Sequence, residues 1–205
     1  MFLNLKVLAT AALFAATALA GGAVSAATVT TLCPGTAATT DREFTVTTIA
    51  PGASCFAWGS GNISGNSGGA NPDPLFALMN TAFGSGHQLI DKSDSGPAIL
   101  NVSGTGGLAG TWSFALPSAP AGYVWTNLVL AFKSGVAQLN PDWAAFLLPS
   151  GVTSGSWAIA NGRQSLSHAN LYGQLVVAPV PLPAAGLMLV AGLGALGAAR
   201  RRRKA

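Results

Sequence analysis

The stretch Glu43–Ile49, which reads EFTVTTI, decides the fold class because it alternates polar and apolar side chains and is rich in β-branched residues. Alternation with a period of two is typical of a half-buried β-strand. Ala50-Pro51-Gly52 follows as a turn, and Ser54–Trp58 is predicted to be the partner strand. Residues 43–58 are therefore predicted to form a pair of adjacent strands.

Further strand-like runs follow at fairly regular spacing, separated by clusters of Gly, Pro, Ser or Asn. They are His87–Asp91, Ala98–Val102, Gly110–Leu116, Trp125–Lys133, Trp143–Leu147, Ser156–Ala160 and Leu171–Val177. A βαβ architecture would need crossover helices between the strands, and the sequence leaves no room for them. The pattern predicts an all-β chain whose body is a single antiparallel β-sandwich of jelly-roll-like type.

Two segments depart from the strand pattern. Residues 59–71 consist almost wholly of Gly, Asn, Ser and Ala, and we expect them to form a mobile loop. Asp73–Phe83 is predicted to be a short helix, with Asp73 as its cap and Pro74 at its first position. The residues expected to share its apolar face are Leu75, Leu78, Met79 and Ala82.

The N-terminal residues have the three parts of a secretory signal. Lys6 is a lone positive charge, the apolar run from Val7 to Leu19 follows, and Val24-Ser25-Ala26 has the small-x-small pattern that signal peptidase accepts. The sequence therefore predicts a signal helix in residues 1–26, with cleavage after Ala26. A retained membrane helix is the alternative, although the apolar run is shorter than the roughly 20 residues that a span needs.

The C-terminal residues combine a short proline motif, an apolar run and a basic tail. The motif is Val180, Pro181, Leu182, Pro183 and Ala184, and the tail is Arg200, Arg201, Arg202, Arg203 and Lys204. Leu182–Ala199 carries no charge and as a helix would reach about 27 Å, close to the ~30 Å hydrocarbon core of a bilayer. The positive-inside rule places the tail in the cytoplasm and the preceding domain outside. A buried core helix is the alternative.

This C-terminal segment, residues 179–205, resembles the VPLPA-CTERM variant of the PEP-CTERM sorting signals of Gram-negative bacteria. The resemblance implies processing by an exosortase, a membrane-embedded enzyme, with cleavage near the motif. It also implies export across the inner membrane, transient anchoring there, and a final place at the cell surface, in the outer membrane or in an exopolysaccharide matrix. A plain single-span anchor with an incidental proline pair is the alternative.

The segment between these two signals, residues 27–178, also resembles ectodomains that carry such sorting signals. The matching stretches are Asp91–Asp94, Gly110–Ser113, Phe132–Gly135 and Leu166–Gly173. The resemblance implies a β-sandwich and supplies no activity.

The two terminal signals contribute +6 to the formal net charge of +4. Between Ala27 and Pro179 only four basic residues stand against six acidic ones, which gives a net charge of −2. A nucleic-acid-binding domain needs a basic patch, so a nucleic-acid partner is not predicted. The remaining 150 or so residues are enough for one domain with a sizeable core.

Cys33 and Cys55 are the two cysteines of the chain. In an oxidising compartment, two cysteines that close a loop of about twenty residues most simply form a disulfide. A metal site is a poor alternative because no nearby His or third Cys completes it. The sequence therefore predicts a disulfide, no metal and no cofactor.

The arrangements that catalysis needs do not stand out. No G-x-S-x-G motif occurs between residues 27 and 178, and the carboxylates fall where a surface or a turn explains them. His87 and His168 lie in or beside strands, where a hydrogen-bonded structural role is the ordinary interpretation. The oxygen-bearing loop residues Asn62, Asn66, Asn71, Asp73, Asp91 and Asp94 are a weak calcium pattern that turn formation also explains.

The aromatic residues leave one alternative open. The five tryptophans, Trp58, Trp112, Trp125, Trp143 and Trp157, fall in or at the ends of strands, where most are expected to be core. Trp58 and Trp143, together with Tyr123, are the candidates for an exposed carbohydrate platform. The sequence thus predicts a non-enzymatic structural or adhesive surface protein, with a carbohydrate-binding module for secreted polysaccharide as the alternative.

Overall fold

A computed structural model describes residues 26–34, 42–95, 98–135, 139–161, 164–179, 188–194 and 200–201. Within these ranges the chain forms ten strands and one helix. The first five elements are β1 (Thr28–Cys33), β2 (Glu43–Ile49), β3 (Ser54–Gly59), α1 (Pro74–Phe83) and β4 (His87–Lys92). The others are β5 (Leu100–Val102), β6 (Ala109–Phe114), β7 (Tyr123–Ser134), β8 (Trp143–Leu147), β9 (Ser154–Ala160) and β10 (Leu166–Val177).

The strands form two five-stranded antiparallel sheets. The first sheet has the order β1-β2-β9-β6-β5, and the second has the order β3-β8-β7-β10-β4. Most neighbours in a sheet are distant in sequence, which is the mark of long crossover connections between two layers. The prediction of an all-β antiparallel sandwich is confirmed, while its finer description as jelly-roll-like stays a prediction.

The main core lies between the two sheets. Strand β2 shows why: Phe44, Val46 and Thr48 are buried on one side, as the alternating sequence predicts, and the intervening residues are partly exposed. Aromatic rings fill the centre, with Phe132 stacked on Trp157 and packed edge-on against Phe146. The prediction that most tryptophans are core holds for Trp112 and Trp157, which are buried here.

A second apolar cluster covers the outer face of the second sheet. Helix α1 begins after Asp73, whose side chain accepts a hydrogen bond from the Leu75 amide, and Pro74 stands at the start of the helix. Phe76 packs edge-on against Tyr172 of β10, with ring centroids 5.5 Å apart. The predicted helix is therefore present.

The predicted helix face needs a correction. Leu75 and Met79 are buried as expected, but Leu78 and Ala82 are exposed and Phe76 is buried instead. The reason lies in the packing, because α1 rests on the sheet through Phe76, which contacts Tyr172.

The pairing of β2 and β3 also differs from the prediction. Strand β3 pairs with β8 in the second sheet, whereas β2 lies between β1 and β9 in the first. The turn at residues 50–53 therefore carries the chain from one sheet to the other. Strand β1, which was not predicted, pairs with β2 along six residues, from Thr28 opposite Ile49 to Cys33 opposite Phe44.

The predicted disulfide is present. Cys33 ends β1 at the edge of the first sheet, and Cys55 lies in β3 at the edge of the second sheet. The bond therefore closes one side of the sandwich by linking its two layers.

The predicted terminal signals lie almost wholly outside the described residues. Ala26 is the last residue of the predicted signal peptide, and the sorting motif from Val180 to Ala184 is not among the described residues. Of the predicted span Leu182–Ala199, only residues 188–194 are described, and they are helical and exposed. In the ranges that the structure describes, no helix is both long and apolar enough to cross a membrane.

Candidate functional site

The carboxylate of Asp73 joins three parts of the second sheet's outer layer. One oxygen, Oδ1, accepts from the Leu75 amide at 2.9 Å, and the other, Oδ2, accepts from the Gly65 amide at 2.8 Å. The Tyr172 hydroxyl also donates to Oδ2, at 2.6 Å. Because both oxygens are engaged, Asp73 ties the loop, the helix and the sheet together. This use explains the residue without the calcium ion that its position in the sequence suggests.

The same network continues to the loop through Asn170 and His168. The Asn170 side-chain amide donates to the Tyr172 hydroxyl at 2.7 Å and to the Ile63 carbonyl at 3.1 Å. His168 Nε2 lies 3.0 Å from that carbonyl, and since a carbonyl only accepts, Nε2 carries the proton. Burial lowers the pKa of His168, which favours the neutral ring. His168 therefore has a hydrogen-bonded structural role.

These bonds anchor the first part of the loop at residues 59–71, and the predicted mobility of the loop stays a prediction. Ile63 is fully buried and its carbonyl receives two donors from β10, while Gly65 is held by Asp73. At the start of the loop, the Gly61 amide donates to Asp142 Oδ2 at 2.7 Å. Three separate attachments thus hold residues 61–65 to the segment before β8, to β10 and to the cap of α1, whereas residues 66–71 are exposed.

A second buried polar cluster contains two cations and one carboxylate. Arg42 Nη1 lies 3.8 Å from Asp142 Oδ1, and the Lys133 ammonium donates to the Ser134 carbonyl. Burial lowers the pKa of both Arg42 and Lys133, and the nearby negative charge of Asp142 opposes that effect. The Arg42 amide also donates to the Asn140 carbonyl at 3.0 Å. The cluster joins the start of β2 in the first sheet to the segment before β8 in the second.

The remaining acidic residues around Asp91 also serve the local backbone. Asp91 is buried and accepts from the Lys92 and Leu100 amides at 2.8 and 2.7 Å. Asp94 is more exposed and lies 3.3 Å from the Lys92 ammonium. Within the described part of the chain, no group of three or more His, Cys, Asp or Glu side chains is placed to hold a metal ion.

The three residues proposed as a carbohydrate platform do not come together. Trp143 is only 3% exposed, with its ring over Gly59 and its indole donating to the Ser60 carbonyl, so it offers no face to a sugar. Trp58 is 47% exposed and Tyr123 is 45% exposed. They lie at opposite ends of the second sheet, because Trp58 is aligned through Ala144 with Phe132, nine residues along β7 from Tyr123. That separation is about 30 Å.

Trp125 is a partly buried aromatic residue at the edge of the core that was not among the platform candidates. It lies two residues from Tyr123, on the same face of β7, and its indole donates to the Pro117 carbonyl at 2.8 Å. A cleft of about 250 Å³ opens beside it, between the connection that precedes β7 and the one that follows β8. The sequence alone does not predict this position, because it depends on the connection that contains Pro117 and contacts the Trp125 indole.

Comparisons with protein-family models, with curated proteins and with solved structures find no significant match to this chain.

Proposed function

We propose that this protein is exported and sorted to the cell surface, where its sandwich body is a structural or adhesive component that catalyses no reaction itself. The observation that carries the proposal is where the folded body begins and ends. Strand β1 begins at Thr28, two residues after the predicted signal-peptidase site at Ala26. Strand β10 ends at Val177, three residues before the sorting motif begins at Val180. Both predicted processing sites therefore fall outside the strands in the sequence, and cleavage at either would remove no strand residue, which supports the proposal.

The disulfide supports export. A bond between Cys33 and Cys55 persists in an oxidising compartment and is rare in the reducing cytosol. The bond joins the two sheets at one edge of the sandwich, so the body gains from it only after it has left the cytoplasm.

The uses of the polar side chains support a structural role. Asp73, Asp91 and Asp142 each accept hydrogen bonds from backbone amides, and His168 holds the Ile63 carbonyl. Side chains whose polar atoms already form hydrogen bonds with the backbone are poorly placed to act as acid, base or nucleophile. The carbohydrate-binding alternative has less support, because its two exposed aromatic residues are about 30 Å apart.

In this proposal the protein has four partners in turn. Signal peptidase removes residues 1–26, and Leu182–Ala199 then holds the chain in the inner membrane with the arginine tail in the cytoplasm. An exosortase-type enzyme cuts near Val180–Ala184, and the body passes to the cell surface or the exopolysaccharide matrix. Pro181 and Pro183 keep the motif out of helical conformation, which suits recognition by a processing enzyme.

Intact-mass analysis of protein recovered from the cell surface tests the sorting. We expect a chain that starts at Ala27 and lacks Arg200–Ala205. The double variant Pro181→Ala and Pro183→Ala should accumulate in the inner membrane with its tail attached. Pro179→Ala, which changes a proline just outside the motif, is the matched control and should be processed normally. Surface protein that still carries Arg200–Ala205 would contradict the proposal.

A further inference from the structure

Both ends of the folded body leave the sandwich at the same end. On the N-terminal side, the Ala27 carbonyl accepts from the Ala50 amide, next to the pair formed by Thr28 and Ile49. On the C-terminal side, the Ala178 amide donates to the Gly122 carbonyl, next to the last pair of β7 and β10. We call this the terminal end, and it also contains the connections 50–53, 115–122 and 148–153. The hydrogen bond from Arg42 to Asn140 marks the opposite end.

The charges of the body are distributed unequally between these two ends. None of the described residues at the terminal end is charged, and the sequence has no Asp, Glu, Lys or Arg from 98 to 132 or from 143 to 162. Towards the opposite end lie Arg42, Glu43, Lys92, Asp94, Lys133 and Asp142. Arg42, Lys133 and Asp142 are buried, so the charges that reach solvent there are those of Glu43, Lys92 and Asp94. Because water would solvate such charges equally well at either end, their absence from the terminal end indicates different surroundings for the two ends.

The terminal end also exposes large apolar side chains from both sheets. Val29 and Ile49 are exposed in the first sheet, and Tyr123, Val124 and Val177 are exposed in the second. The last three belong to the final pairs of β7 and β10, which continue beyond their neighbours β8 and β4. This two-stranded projection carries no charge and ends three residues before the sorting motif.

We propose that the terminal end rests on the surface of a lipid bilayer while the protein is still joined to its C-terminal span. The inference rests on the proposed function, because it needs Leu182–Ala199 to lie in the membrane. Four residues lie between Val177 and Leu182, and the five steps along the chain hold the projection within about 18 Å of the hydrocarbon boundary. This reach includes the headgroup layer, about 5–8 Å thick on each side of the bilayer, where tyrosine and tryptophan are enriched, so Tyr123 and Trp125 can be placed in that layer.

Depth-dependent fluorescence quenching on the full-length chain tests this orientation. The chain is reconstituted in phosphatidylcholine vesicles that contain lipids with a quencher near the headgroup. Trp112, Trp143 and Trp157 are buried, so Trp58 and Trp125 are the tryptophans that a quencher can approach. Since only Trp125 lies at the terminal end, Trp125→Phe should lose most of the lipid quenching. Trp58→Phe, the matched control from the other end, should lose none.

A second pair of variants tests the surface itself. Val124→Asp combined with Val177→Asp should reduce quenching of Trp125, whereas Leu108→Asp, at a similarly exposed site towards the opposite end, should not. Circular dichroism of each variant identifies any that fails to fold. If an aspartate variant does not fold, the comparison of Trp125→Phe with wild type is the test of the inference. Quenching that is equal in Trp125→Phe and wild type, in chains that float with the vesicles, would overturn the inference and leave the proposed function standing.

Two further outcomes would also overturn it. A full-length chain that fails to float with vesicles would contradict the membrane span, and this inference would fall with it. A Trp125 response to neutral polysaccharide, without any response to quencher lipid, would assign the terminal end to a sugar.

Discussion

At the scale of single residues, Tyr172 is the centre of the network that fixes the outer layer. Its hydroxyl donates to Asp73 and accepts from Asn170 in a buried site. Tyr172→Phe keeps the ring and its packing on Phe76 but leaves those two partners short of one bond each. We expect a loss of about 1–3 kcal/mol in the free energy of unfolding, or roughly 3–10 °C in Tm for a domain of this size.

Denaturant and thermal unfolding of the purified body measure this loss. Tyr123→Phe is the matched control, because it removes a hydroxyl from the exposed tyrosine and should change stability by less than about 0.5 kcal/mol. Equal stabilities for the two variants would show that the network contributes nothing measurable.

The buried histidine gives the stability of the body a defined dependence on pH. Burial lowers the pKa of His168 below its ordinary value of 6.5, so the folded chain binds fewer protons than the unfolded chain near that pH. The stabilisation is complete above pH 6.5 and is lost as the pH falls from there through the folded-state pKa. Nearby Lys92 and Lys133 act in the same direction, and Asp94 opposes them.

Urea midpoints measured from pH 8 to pH 5 test this dependence. His168→Gln keeps an amide donor for the Ile63 carbonyl but cannot titrate, so its stability should fall less than that of wild type over the interval. Burial also lowers the pKa of His87, and the double variant with His87→Gln should be flatter again. A His168→Gln curve parallel to wild type would exclude His168 as a source of the slope.

The aromatic residues show how far prediction reaches at this scale. The sequence correctly places Trp112 and Trp157 in a core, because they lie in strands whose neighbours alternate. It cannot separate Trp143 from Trp58, since both flank polar loops. The difference depends on Gly59, which lies opposite Trp143 in the ladder and leaves room for its ring. Likewise, the capping role of Asp73 was predictable, but its partner Tyr172 is 99 residues away.

At the scale of elements, the disulfide joins two strands that hydrogen bonds do not join. Strands β1 and β3 are the edges of different sheets, and Cys33 and Cys55 cross-link them. For a sequence separation of 22 residues, the chain-entropy model gives a stabilisation of about 3 kcal/mol. The variant with both cysteines changed to alanine should therefore melt roughly 6–12 °C lower than the oxidised protein.

Calorimetry with and without reductant checks that estimate. Reduction should lower the Tm of wild type by a similar amount. The double variant has no disulfide, so it is the internal control and its Tm should not change. A wild-type Tm that is insensitive to complete reduction would contradict the stabilising role of the bond.

Element pairing is where the sequence was least informative. Local alternation and turn residues correctly predicted β2 and β8, placed β3 to β7, β9 and β10 to within a few residues of their bounds, and missed β1. The pairing of β3 with β2 was wrong because a Pro-Gly turn also permits a crossing between layers. The choice between a hairpin and a crossing depends on where each strand buries its apolar face. Its partners there, such as β8 and β9, lie far along the chain.

At the scale of the whole molecule, the body has a charged end and an uncharged end. The buried Arg42, Lys133 and Asp142 cluster closes the charged end, and both terminal connections leave from the other. Burying a charge costs free energy unless the charge is paired. Because the buried charges lie together at one end, the terminal end has no charged group to keep hydrated. The uncharged end is thus the one from which the chain continues towards its two predicted membrane signals.

The same arrangement predicts that residues 27–178 fold without either signal. The ten strands of the described ranges lie between Thr28 and Val177, and residues 188–194 are exposed, so removing residues 188–194 uncovers no core. An oxidised chain of Ala27–Ala178 should unfold in one cooperative transition, with a Tm within about 2 °C of the full-length body. A control that ends at Tyr172 loses the β10 pairs opposite Val124, Trp125 and Thr126 and should not fold. A molten or aggregated Ala27–Ala178 would contradict this prediction and mean that a terminal segment completes the fold.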